Sequence, residues 1–214
     1  RDFGKALEDE SIEEIILAID SPGGIVTGND EFSEMIYKAR GRKKITAYAD
    51  GWFASAAYYI GSAAENVIVS RTAETGSIGT RVTYFDWSKY DEKMGIEEIT
   101  ITSSQSPFKA MLPTTDEGRR RIQARTDSLA QIFVTDVARN RGVSIDTVLE
   151  EFGQGDLFVG EQAVEAGLAD GTGSFHELLG ISEEEATASN PTFNSGGPFM
   201  DNEKLAAMVT AMQP

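Results

Sequence analysis

Short strand-like segments separated by helix-like stretches are the feature that most restricts how this chain can fold. Residues 12–19 end in a continuous apolar run, and further strand-like segments follow at 44–48 and 66–70. Stretches with helical character at 29–40 and 56–64 separate them. Because a continuous apolar run is typical of a strand covered on both faces, this order predicts parallel βαβ units with right-handed crossovers.

Two of the predicted strands end close to residues that can carry chemistry. The first runs directly into the sequence SPGG at 21–24, and the second is followed after a short loop by Ser55. Ligands of parallel sheets bind beyond the carboxyl ends of the strands, so we expect this turn and Ser55 to meet in one cleft. A glycine pair lets the backbone approach a ligand closely, but a plain strand-to-helix turn needs the same residues. The sequence leaves both interpretations of the turn open.

Ser55 stands where a loop leads into the predicted buried helix at 56–64. The first N–H groups of a helix have no partner inside it and carry the positive end of its dipole. Such a position can stabilise an oxyanion that develops beside a nucleophile. Serine is also a common helix N-cap, so the residue is interpreted either as a nucleophile or as a cap.

Composition excludes several classes of function. Nineteen basic residues against 35 acidic ones give a formal net charge of −16, which disfavours nucleic acid and anionic lipid as partners. The chain has no cysteine and a single histidine, His176, so thiolate catalysis is excluded and we expect neither a metal site nor a cofactor. No apolar run approaches the roughly 20 residues that span a membrane.

A serine nucleophile needs a base, and the chain offers few. His176 lies beside a predicted helix cap, where a surface role is favoured. A lysine in apolar surroundings can be neutral near pH 7 and accept a proton. Lys109 is the candidate, although a loop lysine is often a surface residue whose stem covers apolar groups. Its neighbours are apolar: Pro107, Phe108, Ala110, Met111 and Leu112.

The remaining pattern predicts one domain over residues 1–181. Later elements of this domain are expected as follows: strands at 81–85 and 96–102, a helix at 87–94, a loop at 103–113 and a long helix at 114–141. Residues 182–199 are acidic and polar and are predicted to form a flexible linker. Residues 200–214 form a short amphipathic segment, interpreted as a helix or as a frayed end.

Five motifs occur in order along the chain: IDSPGG at 19–24, ASAAYY at 54–59, TGSIG at 75–79, Lys109, and GEQAVEAGLAD at 160–170. Together they resemble the signal peptide peptidase A (protease IV) family, and the likeness spans residues 12–175. The resemblance implies the α/β fold shared by crotonases and Clp proteases, a spiral of β-β-α units. It also implies a serine peptidase that works through a Ser-Lys dyad.

The resemblance assigns roles to individual residues. Ser55 matches the nucleophile, Lys109 the general base, and Ser77 the serine that hydrogen-bonds the lysine and orients it. The N–H groups of Gly24 and Ala56 match the oxyanion hole. Two backbone donors aimed at the developing charge are what acyl transfer requires.

Substrate contacts are expected from residues beside these groups. Gly23 lies next to the matched oxyanion donor, and Trp52 and Phe53 are apolar residues close to Ser55. They suggest pockets for small or hydrophobic side chains of a polypeptide substrate.

Two features depart from the family pattern. By the resemblance, we expect that the family's first strand and the membrane anchor of its cellular members are both missing ahead of the helix at the start of this chain. Bacterial members form rings in which the serine and lysine of one site can come from adjacent subunits, so the resemblance implies a homo-oligomer.

The tail favours a viral context. A protease domain followed by an acidic linker and a new segment beginning at Met200 resembles phage or prophage capsid-assembly proteases with a fused scaffold. The first hypothesis is therefore a head-maturation protease that cuts scaffold and capsid proteins in the host cytoplasm or the prohead. The alternatives are a membrane-associated or periplasmic peptidase that degrades signal peptides, and an inactive scaffold or assembly module. A crotonase acting on a coenzyme A thioester is less favoured, because it would not need both Ser55 and Lys109.

Overall fold

The computed structural model describes residues 1–181 and 207–208, and the chain divides into two units. The first unit comprises Arg1–Gly79 and the chain from Phe133 onward, and the second comprises Thr80–Ile132. The predicted linker at 182–199 lies outside the described residues. Most of the segment at 200–214 does as well.

A mixed sheet forms the first unit around one central strand. Its strands are β1 Glu14–Ser21, β2 Lys44–Ala54, β3 Asn66–Val69, β4 Glu74–Gly76, β5 Leu157–Val159, β6 Gly171–Thr172 and β7 Ala207–Met208. Strand β2 is central, with β1 on one side and first β3, then β4 on the other. These pairings are parallel, and β4 pairs antiparallel with β5. The predicted parallel order of the first three strands is confirmed, and the fold is of the mixed α/β class.

Eight α-helices and one short 3₁₀-helix, Gly153–Gly155, accompany these strands in the part of the chain that the structure describes. The α-helices are α1 Asp2–Glu8, α2 Asn29–Ala39, α3 Ala56–Gly61, α4 Ser88–Met94, α5 Asp116–Arg141, α6 Ile145–Glu151, α7 Glu161–Glu165 and α8 Phe175–Leu178. The core of the first unit joins strand residues such as Ile15 and Val67 to helix residues such as Ile36 and Tyr58, all fully buried. Burying one large apolar side chain contributes about 1.5–3 kcal/mol, so this core supplies most of the fold's stability.

The second unit contains α4, the beginning of α5 and otherwise irregular chain. The helix predicted at 87–94 is confirmed, and Gly95 ends it in the left-handed conformation. The strands predicted at 81–85 and 96–102 are wrong, because both segments are irregular. An alternating pattern forms a strand only where a neighbour supplies backbone partners, and Ile99 and Ile101 instead lie exposed.

The tail contributes one short strand to the described structure. Ala207 and Met208 pair in parallel with Ile15 and Ile16 of β1. The helix interpretation of the tail segment is therefore wrong at these two residues, because the outer edge of β1 offers free backbone groups to an added strand. Among the described helices, none is long and apolar enough to cross a membrane.

Candidate active site

Ser55 occupies a strained position between β2 and α3. It is the N-cap residue of α3, with φ 53° and ψ −122°, a positive φ that a residue with a side chain rarely adopts. Such conformations cost about 1–3 kcal/mol and cluster at functional sites. The Ser55 side chain makes no capping hydrogen bond to the helix. The capping interpretation therefore does not explain why a serine stands here.

The turn after β1 lies directly against Ser55. A Cβ placed on Gly23, whose φ is +102°, would stand 2.6 Å from Ser55 Cβ and 3.0 Å from the Ala56 nitrogen. Only a glycine permits this approach. The expectation that SPGG and Ser55 meet is confirmed, and the side of Gly24 is open, with no atom within 4 Å of where its Cβ would be.

Ser77 follows β4, which runs beside the end of β2. The Ser55 N–H donates to the Gly76 carbonyl over 2.8 Å, and the Ser77 N–H donates to the Asp156 carbonyl over 2.8 Å. Ser77 also has a positive φ of 52°. Two half-buried serines with left-handed backbone thus stand at the ends of adjacent strands in the first unit.

Lys109 belongs to the second unit, whereas Ser55 and Ser77 belong to the first. Its side chain is exposed, in a turn where its N–H donates to the Ser106 carbonyl over 3.0 Å. The neighbouring Phe108 ring lies under the guanidinium of Arg121, 3.5 Å from its carbon atom. The second unit by itself does not enclose the amine in apolar groups, and the pairing of Lys109 with Ser55 stays a prediction.

A family comparison places these residues in context. The family model of peptidase family S49 matches residues 38–189, about seven tenths of the chain, and the matched segment includes Ser55, Ser77 and Lys109. The chain belongs to peptidase family S49. The SPGG turn precedes the matched segment.

Relatives of this S49 chain include viral and cellular proteins. It is 28% identical over 214 residues to Capsid assembly protease C of Escherichia phage lambda, covering 98% of this chain and 48% of that protein. It is 30% identical over 226 residues to Head-tail preconnector protein GP5 of Enterobacteria phage P21, covering 98% and 43%. The Putative signal peptide peptidase SppA of Enterococcus faecium is 27% identical over 192 residues, covering 88% and 55%. The chain spans about half the length of the curated relatives it matches.

The turn that follows α3 in this S49 chain is held by an arginine. Arg40 donates from Nε to the Ala63 carbonyl over 2.9 Å, and from Nη2 to the Ala64 carbonyl over 2.8 Å. Burial lowers the pKa of Arg40, yet a guanidinium stays charged at neutral pH. Ala63 and Ala64 lie in the turn that follows α3, so this cation anchors the chain directly after the helix that Ser55 begins.

Aromatic residues hold α3 along its length. The Tyr58 hydroxyl donates to the Leu168 carbonyl over 3.0 Å, and burial raises its pKa above the usual value. The Tyr59 hydroxyl donates to the Asp136 carboxylate, while its ring stacks on Phe133 with centroids 4.6 Å apart. Burial and this carboxylate raise the pKa of Tyr59 as well. Both phenols therefore stay neutral donors, and α3 is held from two sides.

The predicted substrate residues divide into two groups. Trp52 is 44% exposed and remains available for contact with a polypeptide. Phe53 is fully buried and packs edge to face on Tyr58 with ring centroids 5.1 Å apart. The alternation of side chains along β2 turns Phe53 inward, so it belongs to the core and offers no surface to a substrate.

Several residues at the end of β1 and in the turn after it were not among the predicted site residues. Ile25 and Val26, directly after the SPGG turn, are 79% and 42% exposed. An apolar pair between Gly24 and Gly28 in an otherwise polar loop was the available signal. The carboxylate of Asp20, which binds the backbone of β2, gave no signal, because an aspartate after a strand is ordinary turn chemistry.

The structure shows where His176 lies and whether the described residues could hold a metal ion. His176 is exposed on α8, where Ser174 and Glu177 form a capping box, so its predicted surface place is confirmed. Within residues 1–181, no group of three or more His, Cys, Asp or Glu side chains is arranged to hold a metal ion.

Proposed function

We propose that this S49 chain is a serine endopeptidase whose nucleophile is Ser55. The observation that carries the proposal is the strained backbone of Ser55, combined with a hydroxyl that is not used for capping. A strained residue persists only where the surrounding structure over-determines it. Here the Gly76 carbonyl, the close approach of Gly23 and helix α3, anchored through Tyr58, supply that constraint.

The proposed mechanism assigns one role to each predicted group. Neutral Lys109 takes the proton of Ser55, whose oxygen attacks the peptide carbonyl, and Ser77 orients the amine by a hydrogen bond. The N–H groups of Gly24 and Ala56 stabilise the oxyanion; Ala56 is the first residue of α3, and its N–H has no partner inside the helix. Lys109 then gives this proton to the departing amine as the peptide C–N bond breaks, and it next takes a proton from the water that hydrolyses the acyl-enzyme and returns it to the Ser55 oxygen. Neither metal nor cofactor takes part, so EDTA should leave cleavage unchanged.

Two serines at helix N-caps provide a matched test. Ser144 caps α6, accepting a hydrogen bond from the Thr147 N–H over 3.0 Å, whereas Ser55 makes no such bond. We expect Ser144→Ala to lose about 1 kcal/mol of stability and keep its activity. We expect Ser55→Ala to keep its stability and lose peptide cleavage together with labelling by a fluorophosphonate probe. A Ser55→Ala variant that is still labelled and still cleaves would remove the assignment.

We propose that the active enzyme is a homo-oligomer in which apolar side chains of the second unit pack against another copy. Phe85, Trp87 and Ile101 are 77%, 62% and 91% exposed, and apolar side chains at this density favour association. Mixing Ser55→Ala subunits with Lys109→Ala subunits tests how the dyad is shared. Recovered cleavage means that the two residues come from different subunits, and persistent inactivity means that they come from one.

Head maturation of a phage or prophage is the proposed setting, with scaffold and capsid polypeptides as substrates in the host cytoplasm or prohead. The two phage relatives support it, because their alignments cover nearly the whole chain. The similarity to a signal peptide peptidase favours one alternative, a cellular enzyme acting on signal peptides at the membrane or in the periplasm. Cleavage of purified scaffold protein but not of a signal peptide would decide for the first. If Ser55 is not labelled by the fluorophosphonate probe in any assembled state, the remaining hypothesis is an inactive scaffold or assembly module.

We further propose that the sheet is part of a crotonase- and Clp-like spiral of β-β-α units. The change of partner along β2, from β3 to β4, supports this arrangement. An experimental structure in which consecutive β-β-α turns do not stack would contradict it.

A further inference from the structure

An irregularity in the central strand lies between the core and the candidate nucleophile. Strand β1 pairs with β2 at Ile19–Ala49 and again at Ser21–Phe53. One residue of β1, Asp20, therefore stands opposite three residues of β2. Such a bulge interrupts the ladder and re-aims the chain that follows. Here the chain that follows is the short run that ends at Ser55.

The carboxylate of Asp20, an exposed residue, binds the backbone of this bulge. The Trp52 N–H donates to Asp20 Oδ1 over 2.8 Å, so the bulged backbone has a side-chain partner where the ladder offers none. A Cβ on Gly51 would stand 2.5 Å from the same oxygen and 2.9 Å from the carboxyl carbon. The carboxylate thus rests against the glycine backbone, and any side chain at 51 would displace it.

The bulge is also where β2 changes its neighbour. Before it, Thr46–Ala49 pair with β3, and after it, Trp52–Ala54 pair with β4. The switch brings the Ser55 N–H to the Gly76 carbonyl. On the β1 side, Asp20 immediately precedes Ser21, whose hydroxyl accepts the Gly23 N–H over 3.2 Å. The carboxylate therefore joins the two strands at the point where each one delivers a part of the site.

The geometry points to Asp20 as a positioning residue for the proposed reaction: its carboxylate holds the bulge of β2, and thereby the register between Ser55 and the SPGG turn. It acts through the Trp52 backbone and not on the substrate. This role rests on the proposed function, because it concerns the placement of the proposed nucleophile.

In this role Asp20 needs only an oxygen that accepts the Trp52 N–H, and its negative charge is not required. In the full chain, we expect Asp20→Ala to slow fluorophosphonate labelling of Ser55 by about 10- to 100-fold, since small misplacements of reacting groups have effects of that size. Asp20→Asn should stay within about threefold of the unsubstituted chain, because its amide oxygen accepts the same N–H. Asp50→Ala, an exposed neighbour across the bulge, serves as the matched control and should change nothing.

A double substitution gives a sharper test. Gly51→Ala should slow labelling as Asp20→Ala does, because the new methyl group displaces the carboxylate. The three atoms nearest to that methyl group all belong to Asp20. Adding Gly51→Ala to Asp20→Ala should therefore cause little further loss. If the double variant is labelled more slowly than either single variant by the product of their two effects, the proposal is overturned.

A second measurement is independent of activity. Amide hydrogen exchange at Trp52 should become faster in Asp20→Ala and stay slow in Asp20→Asn. Unchanged exchange and unchanged labelling in Asp20→Ala would overturn the positioning role while leaving Ser55 as the nucleophile. An Asp20→Asn variant as slow as Asp20→Ala would overturn it as well. An unsubstituted chain that is never labelled at Ser55 would instead refute the proposed function, and the positioning role with it.

Discussion

The two units differ in where their large apolar side chains lie. In the first, Ile15 and Val67 are fully buried, and helices and sheet share one core. In the second, Phe85 is 77% and Ile101 91% exposed, and within residues 80–132 no large apolar side chain is buried. Packing therefore fixes Ser55 within the first unit, while the base proposed for it stands in a unit without a core. The two proposed catalytic residues therefore lie in different surroundings: Ser55 in a unit with a packed core, and Lys109 in a unit whose large apolar side chains are not buried.

The largest expected effect comes from a substitution in the second unit that lowers activity without changing stability. Lys109→Ala should lower peptide cleavage by about 10²–10⁴-fold, the usual contribution of a general base. Its exposed side chain should leave the free energy of unfolding within about 0.5 kcal/mol. Activity assays and urea unfolding measure the two effects. Lys93→Ala, an exposed lysine of the same unit, is the control, and equal cleavage by both variants would eliminate Lys109 as the base.

A pair of phenylalanines tests the packing side of the comparison. Phe152 is 1% exposed in the core of the first unit, so Phe152→Ala should lower the free energy of unfolding by about 3–5 kcal/mol. Phe85→Ala in the second unit should change it by less than about 0.5 kcal/mol. Chemical denaturation measures both. A large loss in Phe85→Ala would show that the second unit contributes to folding after all.

Charge pairs sharpen the comparison further. Asp170 receives two hydrogen bonds from Arg141, at 2.6 and 3.1 Å, and one from the Val67 N–H at 2.7 Å. Burial acts to raise the pKa of Asp170, but these donors and the arginine charge lower it on balance. A carboxylate with a lowered folded pKa stabilises above its unfolded pKa, near 3.9, and the contribution disappears as pH falls through the folded value.

Asp170→Asn should therefore cost about 1–2 kcal/mol at pH 7, a range that allows for solvent screening, and the cost should shrink below about pH 4. Urea unfolding at several pH values measures it. In the second unit, Glu117 pairs with Arg121 over 2.6 Å on an exposed helix face. Glu117→Gln should leave the unfolding transition unchanged. A pH-independent cost for Asp170→Asn would contradict the ion-pair explanation.

The smallest expected effect concerns a buried hydroxyl beside the site. Thr75 on β4 is fully buried, and its Oγ1 has no hydrogen-bond partner among the described residues. Thr75→Val should leave stability unchanged or raise it by up to about 1 kcal/mol, because an unpaired buried polar group is removed. Thr46→Val, which breaks a hydrogen bond to Glu14, should lower stability by about the same amount. A loss of stability in Thr75→Val would mean that its hydroxyl has a partner.

The sequence predicted the first unit well because each decisive feature there is local. A continuous apolar run indicates a strand, and a glycine pair after it indicates a close approach, so the meeting of SPGG and Ser55 could be foreseen. The predictions of strands at 81–85 and 96–102 were wrong, because strand formation depends on a neighbouring strand that the residue pattern does not reveal. The prediction that Phe53 contacts substrate was wrong, because nearness to Ser55 in sequence does not determine the face on which a strand residue lies.

The finer geometry of the site lies beyond local patterns. No residue type in β2 signals a bulge of this size, and Gly51 alone is ambiguous between a turn and a close approach. The bulge becomes visible only when the register of β1 and β2 is known on both sides of it. The proposed role of Lys109 has the same limit, because the residues around it do not indicate which other part of the protein its amine meets.

The backbone of Ser55 has a consequence for how such a chain can change over time. Its positive φ suits glycine better than any residue with a side chain, so Ser55→Gly should be more stable than Ser55→Ala. A descendant that keeps only an assembly role would therefore gain robustness by substituting glycine at this position. Under the proposed mechanism the hydroxyl offsets this strain only where turnover is needed, so a glycine at this position would mark a chain that no longer cleaves peptides.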